Sequence, residues 1–157
     1  RNGPSAILLS RQGLPIYDDT VIGKGSEKGG YVIEREEGDN GPDVILLASG
    51  SEVATARGAA ALLKEQGAGA RVVSMPCWEV FEEQDADYRE SVLPRSVTAR
   101  VAVEAGCSFG WERYIGSEGT VVALDRFGAS APIKDLAENF GFTAENVAAK
   151  AGALLEG

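Results

Sequence analysis

Three short segments carry side chains that could bind an anion. Arg11 and Arg126 each follow an apolar run, and a guanidinium offers a planar fork of donors that suits phosphate oxygens. Ser49 and Ser51 lie where another apolar run passes into a helical pattern, so backbone N–H groups there could face a phosphate. The plainer alternatives are a surface arginine at the first position, a salt bridge or domain contact at the second, and a helix cap at the serines.

The residue types that the chain lacks exclude several kinds of catalytic and metal-binding site. It contains no histidine, which removes the usual general base near neutral pH and the commonest metal ligand. Cys77 and Cys107 have no CxxC spacing, so we expect free thiols and neither a zinc site nor a Cys–His nucleophile. The serine segment lacks the lysine of a P-loop. We therefore predict no metal site and no catalytic residue in this chain.

Composition indicates one acidic globular domain. The chain has 157 residues and a net charge of −9, from 15 basic and 24 acidic residues. Because no basic stripe offsets this charge, nucleic acid and anionic membrane surfaces are poor partners. No apolar run approaches the roughly 20 residues that a membrane helix requires. The chain begins with Arg1, and we expect it to have been processed or to be part of a longer protein.

The elements that would position these side chains alternate between apolar strands and helical segments. Five segments have the pattern of strands: 31–36, 43–48, 71–75, 99–104 and 120–124. The first is joined to the second by a Gly/Pro turn, and the last four are joined to one another by helical crossovers. Helices are predicted over 52–66, over 80–92 in one or two pieces, within 106–116, and over 133–139 and 143–155. The S-x-x-E form of Ser49 to Glu52 predicts a capping box.

This alternation predicts an α/β fold, a three-layer α/β/α sandwich around a five-stranded, mixed and mostly parallel sheet. Helical crossovers favour parallel neighbours, whereas the tight turn after the first strand favours an antiparallel one. Trp78, Trp111 and Tyr114 could equally pack in the core or contact another domain. The first 30 residues stand apart: Ser5–Ser10 has strand character, and the glycine-rich stretch from Gly13 to Gly30 is predicted to be a linker.

Several ordered segments resemble the C-terminal domain of transketolases. Beginning with Ser10-Arg-Gln12 near the start, they continue through 29–32, 42–43, 49–53, 71–76, 88–94, 125–132 and 140–143. The resemblance implies that residues 1–30 are the end of the preceding pyrimidine-binding domain and an interdomain linker, with residues 31–157 forming the C-terminal domain. It also implies that Arg11 grips the terminal phosphate of a sugar substrate in the intact enzyme.

Further implications of the resemblance concern the intact enzyme, a cytoplasmic homodimer that acts on sugar phosphates in the pentose phosphate pathway. It would transfer a two-carbon ketol group from a ketose phosphate to an aldose phosphate, using thiamine diphosphate and a divalent metal, Mg or Ca. The family's Gly-Asp-Gly motif and channel histidines are missing here, so this chain alone is expected to bind no cofactor and to be inactive, with a structural role beside the preceding domains.

Two alternatives to this assignment are a freestanding anion-binding or regulatory module and the last domain of another thiamine-diphosphate enzyme. A freestanding module would hold a small anion near Arg126 or at the turn that contains Ser49 and Ser51. The apolar segment Ser5–Ser10 opposes that alternative, because an unpaired apolar strand is an aggregation hazard in a module that stands alone.

Overall fold

The computed structural model describes residues 3–157 apart from Ser5 and Leu8, and it describes only the backbone of Thr20. Five strands form one sheet in the order β1-β3-β2-β4-β5. Strands β2 to β5 are parallel, and β1 is antiparallel to β3. Their bounds are β1 Tyr31–Glu34, β2 Val44–Ala48, β3 Ala70–Ser74, β4 Arg100–Glu104 and β5 Thr120–Ala123.

Helices cover both faces of this sheet. Their bounds are α1 Asp19–Ile22, α2 Glu52–Glu65, α3 Trp78–Glu82, α4 Ala86–Val92, α5 Glu112–Ile115, α6 Ile133–Phe140 and α7 Ala144–Leu155, with a 3-10 turn at Gly25–Lys28. The longest, α2, ends just before Gly67, whose positive φ of 84° suits glycine. Helix α7 begins after Thr143, whose hydroxyl accepts a hydrogen bond from the Asn146 N–H.

Alternating strand residues divide the core into two layers. Val44, Leu46 and Ala48 of β2 face α2 and α7, while Ile45 and Leu47 face α3, α4 and α5. All five are fully buried, as expected for a strand covered on both sides. The predicted three-layer α/β/α sandwich with a mostly parallel sheet is therefore confirmed.

The antiparallel orientation expected of β1 is also present, but its neighbour in the sheet is not the next strand along the chain. Strand β1 pairs with β3, Tyr31 opposite Ser74. The middle strand β2 has parallel neighbours on both sides, β3 and β4, so it has no free edge for β1, which lies instead on the outer edge of β3.

Aromatic side chains fill the layer that faces α3, α4 and α5. Trp111 and Tyr114 are buried there, and Trp78 packs edge-on against both, with ring centroids 4.9 Å and 5.2 Å away. Of the two roles left open for these residues, core packing is the one observed for Trp111 and Tyr114. Cys77 and Cys107 are free thiols, as predicted.

Among the described residues, one ion pair is buried. Arg71 of β3 donates through Nε to Glu36 Oε2 at 2.8 Å and through Nη2 to the other carboxylate oxygen at 2.5 Å. Its Nη1 donates to the carbonyls of Ser91 and Val92 at the end of α4. The pair therefore joins the segment after β1, strand β3 and helix α4.

The segment before β1 contains short helical elements but, among its described residues, no strand. Of the predicted strand Ser5–Ser10, two residues lie outside the described part, and the other four are in no strand; Ile7 and Leu9 are 83% and 87% exposed. The predicted linker holds α1 and the 3-10 turn, and Tyr17 packs against the core beneath the guanidinium of Arg57. In the described part of the chain, no helix is long and apolar enough to span a membrane.

Candidate functional site

The sheet topology indicates a candidate binding site at the carboxyl ends of β2 and β4. These neighbouring strands are followed by helices on opposite faces, α2 and α5, so a crevice opens between their ends. Open α/β sheets bind ligands at such switch points. Ser49 follows β2 directly and Glu104 ends β4, and the Ser49 hydroxyl donates to Glu104 Oε2 at 2.9 Å. A polar cluster therefore occupies the switch point.

The predicted capping box at Ser49 is wrong. Helix α2 has Ser51 at its N-cap, in helical backbone geometry and without a side-chain capping bond. The hydroxyl of Ser51 donates to Glu52 Oε1 at 2.7 Å, and the hydroxyl of Ser49 is taken by Glu104. The motif requires Ser49 at the N-cap, but the helix begins two residues later, and the Ser49 hydroxyl donates instead to a carboxylate 55 residues away in sequence.

Charge at this crevice is negative. Burial raises the pKa of the Glu52 carboxyl, the bond from Ser51 opposes that rise, and the nearby Glu104 charge adds to it. Two carboxylates beside two engaged hydroxyls repel an anion. The anion site predicted at Ser49 and Ser51 stays a prediction, and the charges around it are unfavourable.

An apolar cavity of about 200 Å³ adjoins the crevice. Its walls include Gln12, Glu52, Leu124, Ile133 and Phe140. Gln12 brings the segment before β1 to the carboxyl edge of the sheet. Sequence patterns pointed to neither Glu104 nor this cavity; the one available signal was the position of Glu104 at the end of a predicted strand.

Arg126 lies beside this cavity but projects into solvent. Its guanidinium carbon is 5.8 Å from the centre of the Phe140 ring, and among the described residues it forms no salt bridge. The preceding Asp125 accepts a hydrogen bond from the Ser108 N–H at 2.8 Å, which lowers the pKa of its carboxyl. Phe127 is 96% exposed and so fills no gap in this domain. An exposed arginine next to an exposed phenylalanine suits a contact with another surface.

Arg11 is exposed, directly beside the cavity-lining Gln12. In the part of the chain that is described, Arg11 takes part in no salt bridge. The structure does not bring Arg11, Arg126 and the two serines together into one anion pocket. Each of these residues lies at or near the carboxyl edge of the sheet, but the charge beside the serines is negative, opposite to that of the arginines.

The described residues include no set of ligands for a catalytic metal. No group of three or more Cys, Asp or Glu side chains among them could hold a metal ion, and the sequence has no histidine.

Comparisons with known proteins identify relatives of the whole domain. Residues 29–143 match the family described as the transketolase-like TK C-terminal domain. A chloroplastic transketolase from Craterostigma plantagineum is 52% identical over 152 residues, which are 97% of this chain and 29% of that protein. A transketolase from Halalkalibacterium halodurans is 51% identical over 158 residues, or 99% of this chain and 23% of that protein.

Among solved structures, a Pichia stipitis transketolase in complex with sedoheptulose 7-phosphate is similar in fold. The TM-score is 0.81 at 38% identity, over 93% of this chain and 20% of that one. The chain thus spans less than a third of the length of each of these three relatives.

Proposed function

The chain belongs to the transketolase family, as its C-terminal domain, and from this premise we propose that it serves an intact enzyme that transfers two-carbon ketol groups. The donor is a ketose phosphate and the acceptor an aldose phosphate, in the pentose phosphate pathway. The observation that carries the proposal is the 52% identity along 97% of the chain to a protein named transketolase.

In this proposal the chemistry takes place outside the chain. Thiamine diphosphate and its Mg or Ca ion are held by the preceding domains and a second subunit of a cytoplasmic homodimer, although one relative is named as chloroplastic. Residues 31–157 support that assembly, and residues 1–30 are the end of the pyrimidine-binding domain and the linker. The exposure of Ile7 and Leu9 supports this division, because apolar side chains in water are stabilised by a covering surface.

Arg11 is the residue proposed to contact the substrate. Its exposed guanidinium could donate to the terminal phosphate of a sugar, and the loss of one charge-assisted bond costs about 1.5–3 kcal/mol. In the intact enzyme, Arg11→Ala should therefore lower kcat/KM for phosphorylated donors by about 10- to 150-fold, mainly through KM. Donors without a phosphate should react almost as before.

Lys134→Ala is the matched control for this substitution, since it removes another exposed positive charge near the same edge of the sheet. It should leave kcat/KM unchanged for donors with and without a phosphate. Equal losses for phosphorylated and non-phosphorylated donors in Arg11→Ala would contradict the role given to Arg11.

The size of the native polypeptide tests whether the chain is one domain of a longer enzyme. An antibody raised against this chain should detect a protein several times larger than 16.4 kDa in the cells that make it. A band near 16.4 kDa would favour the alternative of a freestanding module.

A further inference from the structure

A second cavity, of about 260 Å³, lies far from the crevice, near the amino end of β4 and between α4 and α5. Its charged lining consists of four arginines and two glutamates: Arg89, Arg95, Arg100, Arg113, Glu82 and Glu90. The walls therefore carry a net charge of +2 in a chain whose net charge is −9.

The two glutamates leave two of these arginines without a carboxylate partner. Glu82 pairs with Arg89 at 3.0 Å, and Glu90 pairs with Arg95 at 3.6 Å. Arg100 instead donates to four backbone carbonyl oxygens, and burial lowers the pKa of its guanidinium. Arg113 forms no salt bridge within the described part of the chain. The excess positive charge of the cavity is thus contributed by Arg100 and Arg113.

Two buried donors in the same cavity lack an acceptor. Among the described residues, the buried side-chain polar atoms without a hydrogen-bond partner are Nε of Arg89 and the hydroxyl of Tyr114. Both residues line this cavity, and Tyr114 is 4% exposed. A guanidinium N–H can only donate, so the partner missing from this cavity is an acceptor. Buried polar groups without partners are rare enough in folded proteins to call for one.

The Tyr114 hydroxyl is held in its donating form. Burial and then the neighbouring Glu82 carboxylate raise its pKa to about 12, while Arg113 acts in the opposite direction. Both of these charged neighbours line the cavity, which places the hydroxyl end of the ring there. Near neutral pH the hydroxyl therefore carries a proton that it can donate to a bound oxygen atom.

From this cavity, its charge and its two unpartnered donors, we propose a binding site for a small oxyanion of the phosphate class. Arg89, Tyr114 and Arg113 donate to its oxygens, and the field of Arg100 supports them. A phosphate dianion matches the net charge of +2, whereas a carboxylate neutralises half of it and water none. The site goes beyond ketol transfer and does not depend on it, because none of the residues proposed for the sugar phosphate lies here.

Titration of the 157-residue chain with inorganic phosphate, at ionic strength kept constant with sodium chloride, tests the proposal. The Nε–Hε signal of Arg89 in proton–nitrogen NMR should shift and saturate. Arg113→Gln should weaken binding by about tenfold or more, since it removes a charge-assisted contact. The matched control Lys134→Gln, an equal charge change at an exposed position of α6 outside this cavity, should leave the dissociation constant unchanged.

A second variant separates hydrogen bonding from charge. Tyr114→Phe keeps the ring and the net charge, and it should weaken phosphate binding by about fivefold, the effect of one neutral donor. A titration with glycerol 3-phosphate compares a phosphate ester with inorganic phosphate. Tighter binding of the ester would indicate that the natural ligand is a phosphorylated metabolite, and tighter binding of inorganic phosphate would indicate that it is the free ion.

Two results would overturn the site. One is a response that rises linearly without saturation, or that is equal in Arg113→Gln and Lys134→Gln. The other is a crystal structure at high phosphate concentration in which water alone bridges Arg89 Nε and the Tyr114 hydroxyl. Arg113 is exposed and the Tyr114 hydroxyl has no partner, so both variants should retain the fold, which their NMR spectra would verify.

Discussion

Replacing Glu36 by glutamine should destabilise the domain by about 3 kcal/mol at pH 7. The side chains of Glu36 and Arg71 are 8% and 7% exposed, so solvent screens their attraction little. Removal of one partner from a buried pair costs about 3–5 kcal/mol, because the remaining charge stays buried without compensation. The lower end applies here, since glutamine can still accept one bond from Arg71 and the guanidinium keeps its bonds to the carbonyls of Ser91 and Val92.

The pH dependence of this effect has a definite sign. The hydrogen bonds from Arg71 hold the pKa of Glu36 below its ordinary value of 4.5, and burial opposes them only in part. Because the native pKa lies below the unfolded one, the stabilisation is complete well above pH 4.5 and is lost as the pH falls through the native pKa. The difference between wild type and Glu36→Gln should therefore be constant from pH 6 to 8 and shrink at lower pH.

Urea denaturation followed by tryptophan fluorescence measures this difference, with Trp78 and Trp111 as probes on the face that α4 covers. The adjacent Glu37 provides the control, because its pair with Lys64 has side chains that are 73% and 62% exposed. Exposed pairs contribute little, so Glu37→Gln should unfold like wild type. Equal destabilisation by the two substitutions, or a Glu36→Gln effect that does not change with pH, would refute the reasoning.

Three further substitutions test separate parts of the structure. Glu52→Gln should stabilise the domain at pH 7, because the native pKa of Glu52 is raised; this gain should disappear below the ordinary pKa of 4.5, as melting temperatures at the two pH values would show. Gly29→Ala should destabilise far more than Gly38→Ala in urea: both glycines have positive φ, but only at Gly29 would a Cβ meet the Cys77 carbonyl. Tyr114→Phe should stabilise the phosphate-free chain by about 1 kcal/mol, and a loss of stability would mean that its hydroxyl has a partner.

Strand positions were predictable because apolar runs such as Val44–Ala48 have one stable location, between two layers of helices. The place of β1 in the sheet was not predictable, because β2 has parallel neighbours on both sides and the short turn before it does not indicate which edge of the sheet β1 joins. Single-turn helices such as Asp19–Ile22 are too short to show a helical period, and tertiary packing stabilises them.

Candidate site residues were predictable one at a time, but not their surroundings. The S-x-x-E motif at Ser49 failed because α2 begins two residues later than the motif requires, and the bond of Ser49 to Glu104 depends on the register between β2 and β4. The arginine-lined cavity has the same origin: Arg89, Arg100 and Arg113 come from α4, β4 and α5, and nothing in their spacing along the chain brings them together.

Immunodepletion of a cell extract tests the central claim most directly. An antibody against this chain is used to remove its antigen, and ketol transfer from a ketose phosphate to an aldose phosphate is then measured in the supernatant and in the precipitate. If the chain is the C-terminal domain of a working transketolase, activity leaves the supernatant in proportion to the antigen and appears in the precipitate when thiamine diphosphate and Mg are supplied. Complete removal of the antigen with all ketol transfer left in the supernatant would contradict the assignment.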